Sequence, residues 1–148
     1  FFFLSPGYEN VSLRYVDQVS DLHQPDMILL PGTKSTIADL RWLRQSGLEA
    51  AILKAADAGT LVFGVCGGYQ MLGQYYKTWD GVQCDFTGAL DLYTIGSKER
   101  MIGNYMFTCD ELPGVNVVGF ENHSGKTYLS EQVAPLSGGY FLVAQRLV

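Results

Sequence analysis

Residues 60–74 read TLVFGVCGGYQMLGQ, and the fold is organised around them. Leu61, Val62, Phe63, Gly64 and Val65 form a short unbroken apolar run, the pattern of a strand buried on both faces. Beyond Gly68, residues Tyr69, Met71, Leu72, Tyr75 and Tyr76 recur at helical spacing, which predicts a helix over 68–76. Cys66 thus falls at a strand-to-helix turn. Gly64, Gly67 and Gly68 surround it with positions that tolerate unusual dihedrals and close approach, as a strained nucleophile elbow requires. A sulfur at a helix start faces unpaired N–H groups and the positive end of the dipole, which favours its thiolate. The plainer alternative is a buried cysteine, a common core residue, and the turn alone leaves the two readings even.

Upstream of this turn the chain alternates between strand and helix signals. Residues 26–30 (DMILL) read as a short buried strand ended by Pro31-Gly32. Residues 33–44 carry Ile37, Leu40, Trp42 and Leu43 at roughly helical spacing, which predicts a helix over about 35–45 with Thr33, Ser35 or Thr36 as N-cap. Gly47 breaks it, and a second helix over 48–58 stops at Gly59. Strand, helix and strand in this order imply parallel strands. Residues 11–16 (VSLRYV) alternate well enough for another strand of the same sheet, followed by a polar link that contains His23.

Downstream the pattern changes. Asp80-Gly81 is a tight-turn signal, and from Phe86 onward β-prone runs follow one another: GALDLYTI, MIGNYMFT, VNVVGF, KTYL and GYFLVAQRLV. No linker or repeat divides the halves, so residues 1–148 read as a single domain, in which antiparallel strands extend the parallel ones in one sheet.

Composition narrows the function. A chain of 148 residues can bury one core, and 47% hydrophobic residues mark it as globular. A net charge of −5, with no cluster of Lys and Arg, argues against nucleic acid as a partner. Cysteines 66, 84 and 109 make an odd count without C-x-x-C spacing, and there are only two histidines, so neither a disulfide framework nor a metal site is indicated. Free thiols suit a cytoplasmic location. The opening FFFLSPGYEN lacks an initiator Met and a basic region and is too short to span a membrane, so no membrane insertion is expected and the chain reads as a fragment. Gly32-Thr33-Lys34-Ser35 follows a strand, but the first Gly of a phosphate loop has no counterpart, since that position is Met27.

GVCGGYQMLGQ resembles the nucleophile motif of class I glutamine amidotransferases, in the branch that holds cobyric acid synthase and the glutaminase subunit of lipid II isoglutaminyl synthase. The segment PGTKSTIADLRWLRQSGLEAAI is most similar to cobyric acid synthase. The segments FTGALDLYTIGSKERMIGNYMFT and VVGFENHSGKTYL are more similar to the lipid II branch. The resemblance spans residues 26–129 and implies a three-layer α/β fold, flavodoxin-like, with a mixed, mainly parallel sheet flanked by helices and truncated at both ends.

The resemblance also implies chemistry. Cys66 would attack the carboxamide of L-glutamine, with the N–H groups of Gly67 and of Gly32 or Thr33 as the oxyanion hole. Gln70, Arg100, Glu121, Asn122 and His123 would bind the substrate. Outside the family context Arg100 reads as a solvated strand-end arginine and His123 as a hydrogen-bonded turn histidine. The ammonia would go to a partner: a Mur ligase-like synthetase amidating the D-glutamate of lipid II, the first expectation, or a corrin synthase domain, the alternative. ATP and magnesium would belong to that partner, and the glutaminase step needs no cofactor of its own. The family places its catalytic His in a Tyr-x-His-Gly motif after a further strand. No such motif occurs here, and neither His23 nor His123 stands in its place, so the chain within these bounds is expected to turn over slowly or to serve as an inactive binding or assembly module.

Overall fold

A computed structural model describes residues 10–108 and 113–133. Strand β1 (Met27–Leu30) pairs in parallel with β2 (Leu61–Gly64), with Ile28 opposite Val62 and Leu30 opposite Gly64. Helices α1 (Thr36–Ser46) and α2 (Leu48–Asp57) make the crossover between them. Gly47 separates the helices at φ 79°, a left-handed conformation that costs glycine little. The α1 start differs in detail from expectation: Ser35 is the N-cap residue without a side-chain cap bond, and the Ser35 N–H donates to Thr33 Oγ1 at 2.9 Å. Thr33 Oγ1 in turn donates to the Asp39 carboxylate in the first turn of α1.

The main core joins Ile28, Leu30 and Val62 of this pair to Leu48, Ile52 and Ala56 of α2 and continues through Leu72 to Leu90 and Leu92. Leu40, Met71 and Phe86 form a second cluster under α1. Arg44 ties α1 to the loop below it, donating from Nη1 to Asp85 O at 3.1 Å and from Nη2 to Phe86 O at 3.0 Å, while its Nε pairs with Glu49 at 2.8 Å.

The α/β class holds, but among the described residues the strands form two sheets in place of one. The second has the order β4-β3-β5-β6, made of β3 (Tyr75–Lys77), β4 (Gln83–Asp85), β5 (Leu92–Thr108) and β6 (Asn116–Leu129). β3 runs parallel to β5, and the other neighbours are antiparallel. The Asp80-Gly81 signal is a real turn, with Gly81 at φ 94° and the Thr78 N–H bonded to Val82 O at 2.8 Å. The short runs read separately on either side of residues 97–100 join into one 17-residue strand, whose register against β6 shifts between Gly96 and Met101. The run at 139–148 lies outside the described residues.

Two expected elements fail. Residues 11–16 form no strand: Val11, Leu13 and Tyr15 stand exposed, and among the described residues no neighbour supplies the ladder that a strand requires. A 3₁₀ turn, Val19–Asp21, follows instead. The helix expected over 68–76 is the single turn α3 (Gly67–Gln70). Tertiary pairing ends it: the Gln74 N–H bonds to Leu92 O at 2.7 Å and Gln74 O accepts from Phe86 N at 2.8 Å, which turns Tyr75 and Tyr76 into β3. The helical spacing of those tyrosines is coincidental.

Candidate active site

Cys66 sits between β2 and α3 with φ 52° and ψ −115°, a backbone that a non-glycine residue seldom adopts. Its side chain is exposed. The flanking glycines each have a steric reason. A Cβ on Gly64 would lie 2.6 Å from the Tyr69 backbone, one on Gly68 would collide with Leu30 O, and one on Gly67 with the Thr33 methyl group. The elbow is held by Val65 N–H to Leu30 O at 2.9 Å, Gly68 N–H to Val65 O at 2.9 Å and Gln70 N–H to Cys66 O at 3.0 Å. Because α3 is one turn long, its dipole is short. The local donor that remains is the Gly67 N–H, which as the first residue of α3 has no acceptor within the helix.

The loop after β1 comes to the same place. A Cβ on Gly32 would lie 3.4 Å from Cys66 Cβ, so backbone passes directly beside the nucleophile candidate. Gly32, Thr33, Cys66 and Gly67 are therefore gathered at the ends of the parallel pair, where ligands of open α/β sheets bind.

The remaining sequence-derived residues collect on the β5–β6 hairpin. Arg100 is exposed and donates from Nε to Asn122 Oδ1 at 2.6 Å. Glu121 is buried, with its Oε2 3.2 Å from His123 Nε2. His123 Nδ1 lies 2.8 Å from Gly125 O, a carbonyl that only accepts, so Nδ1 carries the proton. The contact between Glu121 and His123 is an ion pair only when the imidazole is protonated.

Tyr105 hydrogen-bonds to Glu121, and that bond holds its phenol above the usual tyrosine pKa. Gln70 stands between the two groups: its N–H is bonded to Cys66 O at 3.0 Å, and its Nε2 would lie 3.0 Å from a Cβ placed on Gly125. Beside it, burial raises the Tyr69 phenol to about 12.

His23 is exposed at φ 49° in the polar link before β1. Tyr105, Asp39 and Gly125 were not singled out in the sequence. Asp39 was findable as an acid in the first turn of a helix that follows a threonine. Tyr105 and Gly125 were not, since only the hairpin register brings them to Glu121 and Gln70. Cys109 lies outside the described residues. Among the described residues no group of His, Cys, Asp and Glu could hold a metal ion, and no helix is long and apolar enough to cross a membrane.

Residues 7–140 match the CobB/CobQ-like glutamine amidotransferase domain. The chain belongs to this family of glutamine amidotransferase domains. Over 130 residues it is 45% identical to the cobyric acid synthase of Lachnoclostridium phytofermentans, a match covering 85% of this chain and 25% of that protein. It is 42% identical over 142 residues to the cobyric acid synthase of Photorhabdus laumondii, covering 85% of this chain and 27% of that one. This amidotransferase domain thus spans about a quarter of the length of these relatives. A solved structure of a glutamine amidotransferase superposes with a TM-score of 0.70 at 17% identity, covering 86% of this chain and 67% of that one, which shows a shared fold. These relatives are cobyric acid synthases, which favours the alternative expectation for the acceptor over the first.

Proposed function

We propose that this domain hydrolyses glutamine through Cys66 and supplies ammonia for the amidation of a corrin carboxylate. The observation that carries the reading is the pairing of the Cys66 elbow with family membership, and the acceptor class rests on the likeness to cobyric acid synthases. The Cys66 thiolate attacks the side-chain carbonyl carbon of glutamine, and the oxygen becomes an oxyanion facing the Gly67 N–H and that of Gly32 or Thr33. Collapse breaks the C–N bond, ammonia leaves with an added proton, and a thioester remains. Water then cleaves the thioester, giving glutamate and restoring the thiol. On this reading Gln70, Arg100 and Asn122 line the substrate side, and the ATP-dependent step belongs to a synthetase domain or subunit that receives the ammonia.

Two measurements test this. Glutamate release by the 148-residue chain is compared with and without a C-terminal segment bearing the Tyr-x-His-Gly motif, since acid–base help contributes roughly 10²- to 10⁴-fold. The extended chain is expected to be faster by a factor in that range, and Cys66→Ala to be inactive. Equal rates would remove the assigned need for that histidine, and activity in Cys66→Ala would remove the nucleophile. The acceptor is tested by adding the synthetase portion of a cobyric acid synthase, ATP and a corrin carboxylate, with lipid II and its ligase as the competing arm. Amide appearing only in the lipid II arm would reverse the choice of acceptor.

A further inference from the structure

Thr33, in the loop between β1 and α1, is held through both arms of its branched side chain. Its hydroxyl donates to the Asp39 carboxylate and accepts from the Ser35 N–H at 2.9 Å. Its methyl group lies against Gly67, where an added Cβ would collide with it. The same Cβ would stand 2.9 Å from Thr36 Oγ1 and 3.3 Å from Thr33 O, so the loop and the start of α1 close over the residue that follows Cys66. Asp39 is itself fixed: its N–H bonds to Ser35 O at 2.9 Å, and the next residue of α1, Leu40, is buried. A carboxylate in the first turn of a helix is favoured by the dipole, and as a charged acceptor it binds a hydroxyl more strongly than a neutral one.

We infer that Asp39 is a positioning residue: by holding the Thr33 hydroxyl it sets the Thr33 methyl group against Gly67 and so fixes the spacing between the loop N–H groups of Gly32 and Thr33 and the N–H of Gly67. Its consequence for glutamine rests on the function proposed above, in which those groups face the oxyanion. Threonine is branched at Cβ, so a hydrogen bond that fixes Oγ1 also fixes where the methyl group points. The Ser35 N–H is committed to Thr33 Oγ1 and does not serve a ligand. Donors to a developing oxyanion act only when they are in place before the charge forms, which makes the spacing of the two segments decisive for rate.

The test uses the 148-residue chain and a γ-aldehyde analogue of glutamine. As the Cys66 thiolate adds to the aldehyde carbon, the carbonyl oxygen becomes an alkoxide and takes the place of the oxyanion. Asp39→Ala should weaken binding of this aldehyde by about tenfold, less than the roughly 10²- to 10³-fold loss in rate on deleting an oxyanion donor. Thr33→Val keeps the branched shape without the hydroxyl and should match it, and it covers the case in which Asp39→Ala fails to fold. Asp39→Asn still offers an oxygen to the Thr33 hydroxyl and should stay within about twofold of wild type. Alkylation of Cys66 by iodoacetamide, which needs no oxyanion site, should be unchanged in all three. In a Cys66→Ala background, Asp39→Ala should leave the affinity for glutamine itself unchanged, because Asp39 acts on the donors and does not touch the substrate.

Unchanged aldehyde binding in Asp39→Ala or Thr33→Val would overturn the inference. So would an Asp39→Asn variant as weak as Asp39→Ala, an equal slowing of iodoacetamide, or a matching loss of glutamine affinity. The loop is read independently of any ligand by amide hydrogen exchange at Ser35, which Asp39→Ala should speed by about tenfold while residues 48–57 of α2 stay unchanged. An unchanged Ser35 rate would refute the tie. Failure of the wild type to bind the aldehyde would refute the glutaminase reading, with the Ser35 result still deciding the role of Asp39.

Discussion

The two halves of this molecule treat apolar residues in opposite ways. From β1 to Leu72 the large apolar residues of the pattern are buried or half-buried except Met27 and Trp42, with Val62 fully buried and Leu72 1% exposed. On the distal β5–β6 ribbon, Ile102, Met106, Val118 and Phe120 share one face, since Met106 pairs with Val118 and Phe120 lies across from Asn104, and all stand between 62% and 74% exposed. The difference is one of layers. A parallel pair joined by helices covers its own faces, while among the described residues nothing is set against this face of the two-stranded ribbon. Stability is therefore concentrated where the nucleophile candidate sits, and the hairpin depends on its root and on the side-chain contacts around Glu121.

The largest effect that would sharpen this contrast is chemical. Cys66→Ala should lower glutamine hydrolysis by roughly 10³-fold or more while circular dichroism and the unfolding midpoint stay near wild type, because the side chain is exposed. A lost fold would mean that Cys66 is structural after all.

Next come paired core and ribbon substitutions. Leu72→Ala should cost about 2–5 kcal/mol in chemical denaturation. Phe120→Ser and Val118→Ser should stay within about 0.5 kcal/mol of wild type. Equal losses at the two places would erase the distinction, showing that the ribbon face is covered in solution.

A smaller loss is expected at the elbow glycines. Gly68→Ala drives a Cβ into Leu30 O, and the backbone shift should cost about 1–3 kcal/mol, measured by the same titration. Gly114→Ala, on the ribbon side, meets no atom of the described residues within 4 Å and should cost less, the penalty coming from its φ of 81°. A reversal of that order would show that conformational strain outweighs collision here.

The smallest effect is alkaline. Tyr69 keeps its proton to about 12 when folded, because burial disfavours the phenolate. Between the ordinary tyrosine range near 10 and that value the unfolded chain releases the proton and the folded one retains it, so stability falls as pH rises through this window. Tyr69→Phe should flatten that slope in urea titrations across the window. An unchanged slope would place the titrating group elsewhere, Tyr76 and Tyr105 being raised in the same direction.

The front half was readable because two signals agreed there. Gly47 and Gly59 ended the helices where the pattern stopped, and both adopt positive φ. The expectation failed at residues 68–76, where a helical spacing of tyrosines was overruled by backbone bonds to Leu92 and Phe86. It failed at residues 11–16 because alternation describes a strand's faces and says nothing of its neighbour. In the site, Cys66 and its glycines were legible from local sterics. The Tyr105, Glu121 and His123 cluster was not, since it depends on which residues of two long strands come into register.

The sequence by itself determined the elements whose cause is local: the apolar strand into Gly64, the cysteine at a turn only glycines can flank, the helix stops at Gly47 and Gly59, and the tight turn at Asp80-Gly81. Only the tertiary structure decided that the described strands divide into two sheets, that α3 ends after one turn, and that Tyr105, Glu121 and His123 come together on the hairpin. The physical reason is range. Dihedral preference and side-chain periodicity act within a few residues, whereas the satisfaction of backbone groups and the burial of a carboxylate depend on partners far along the chain.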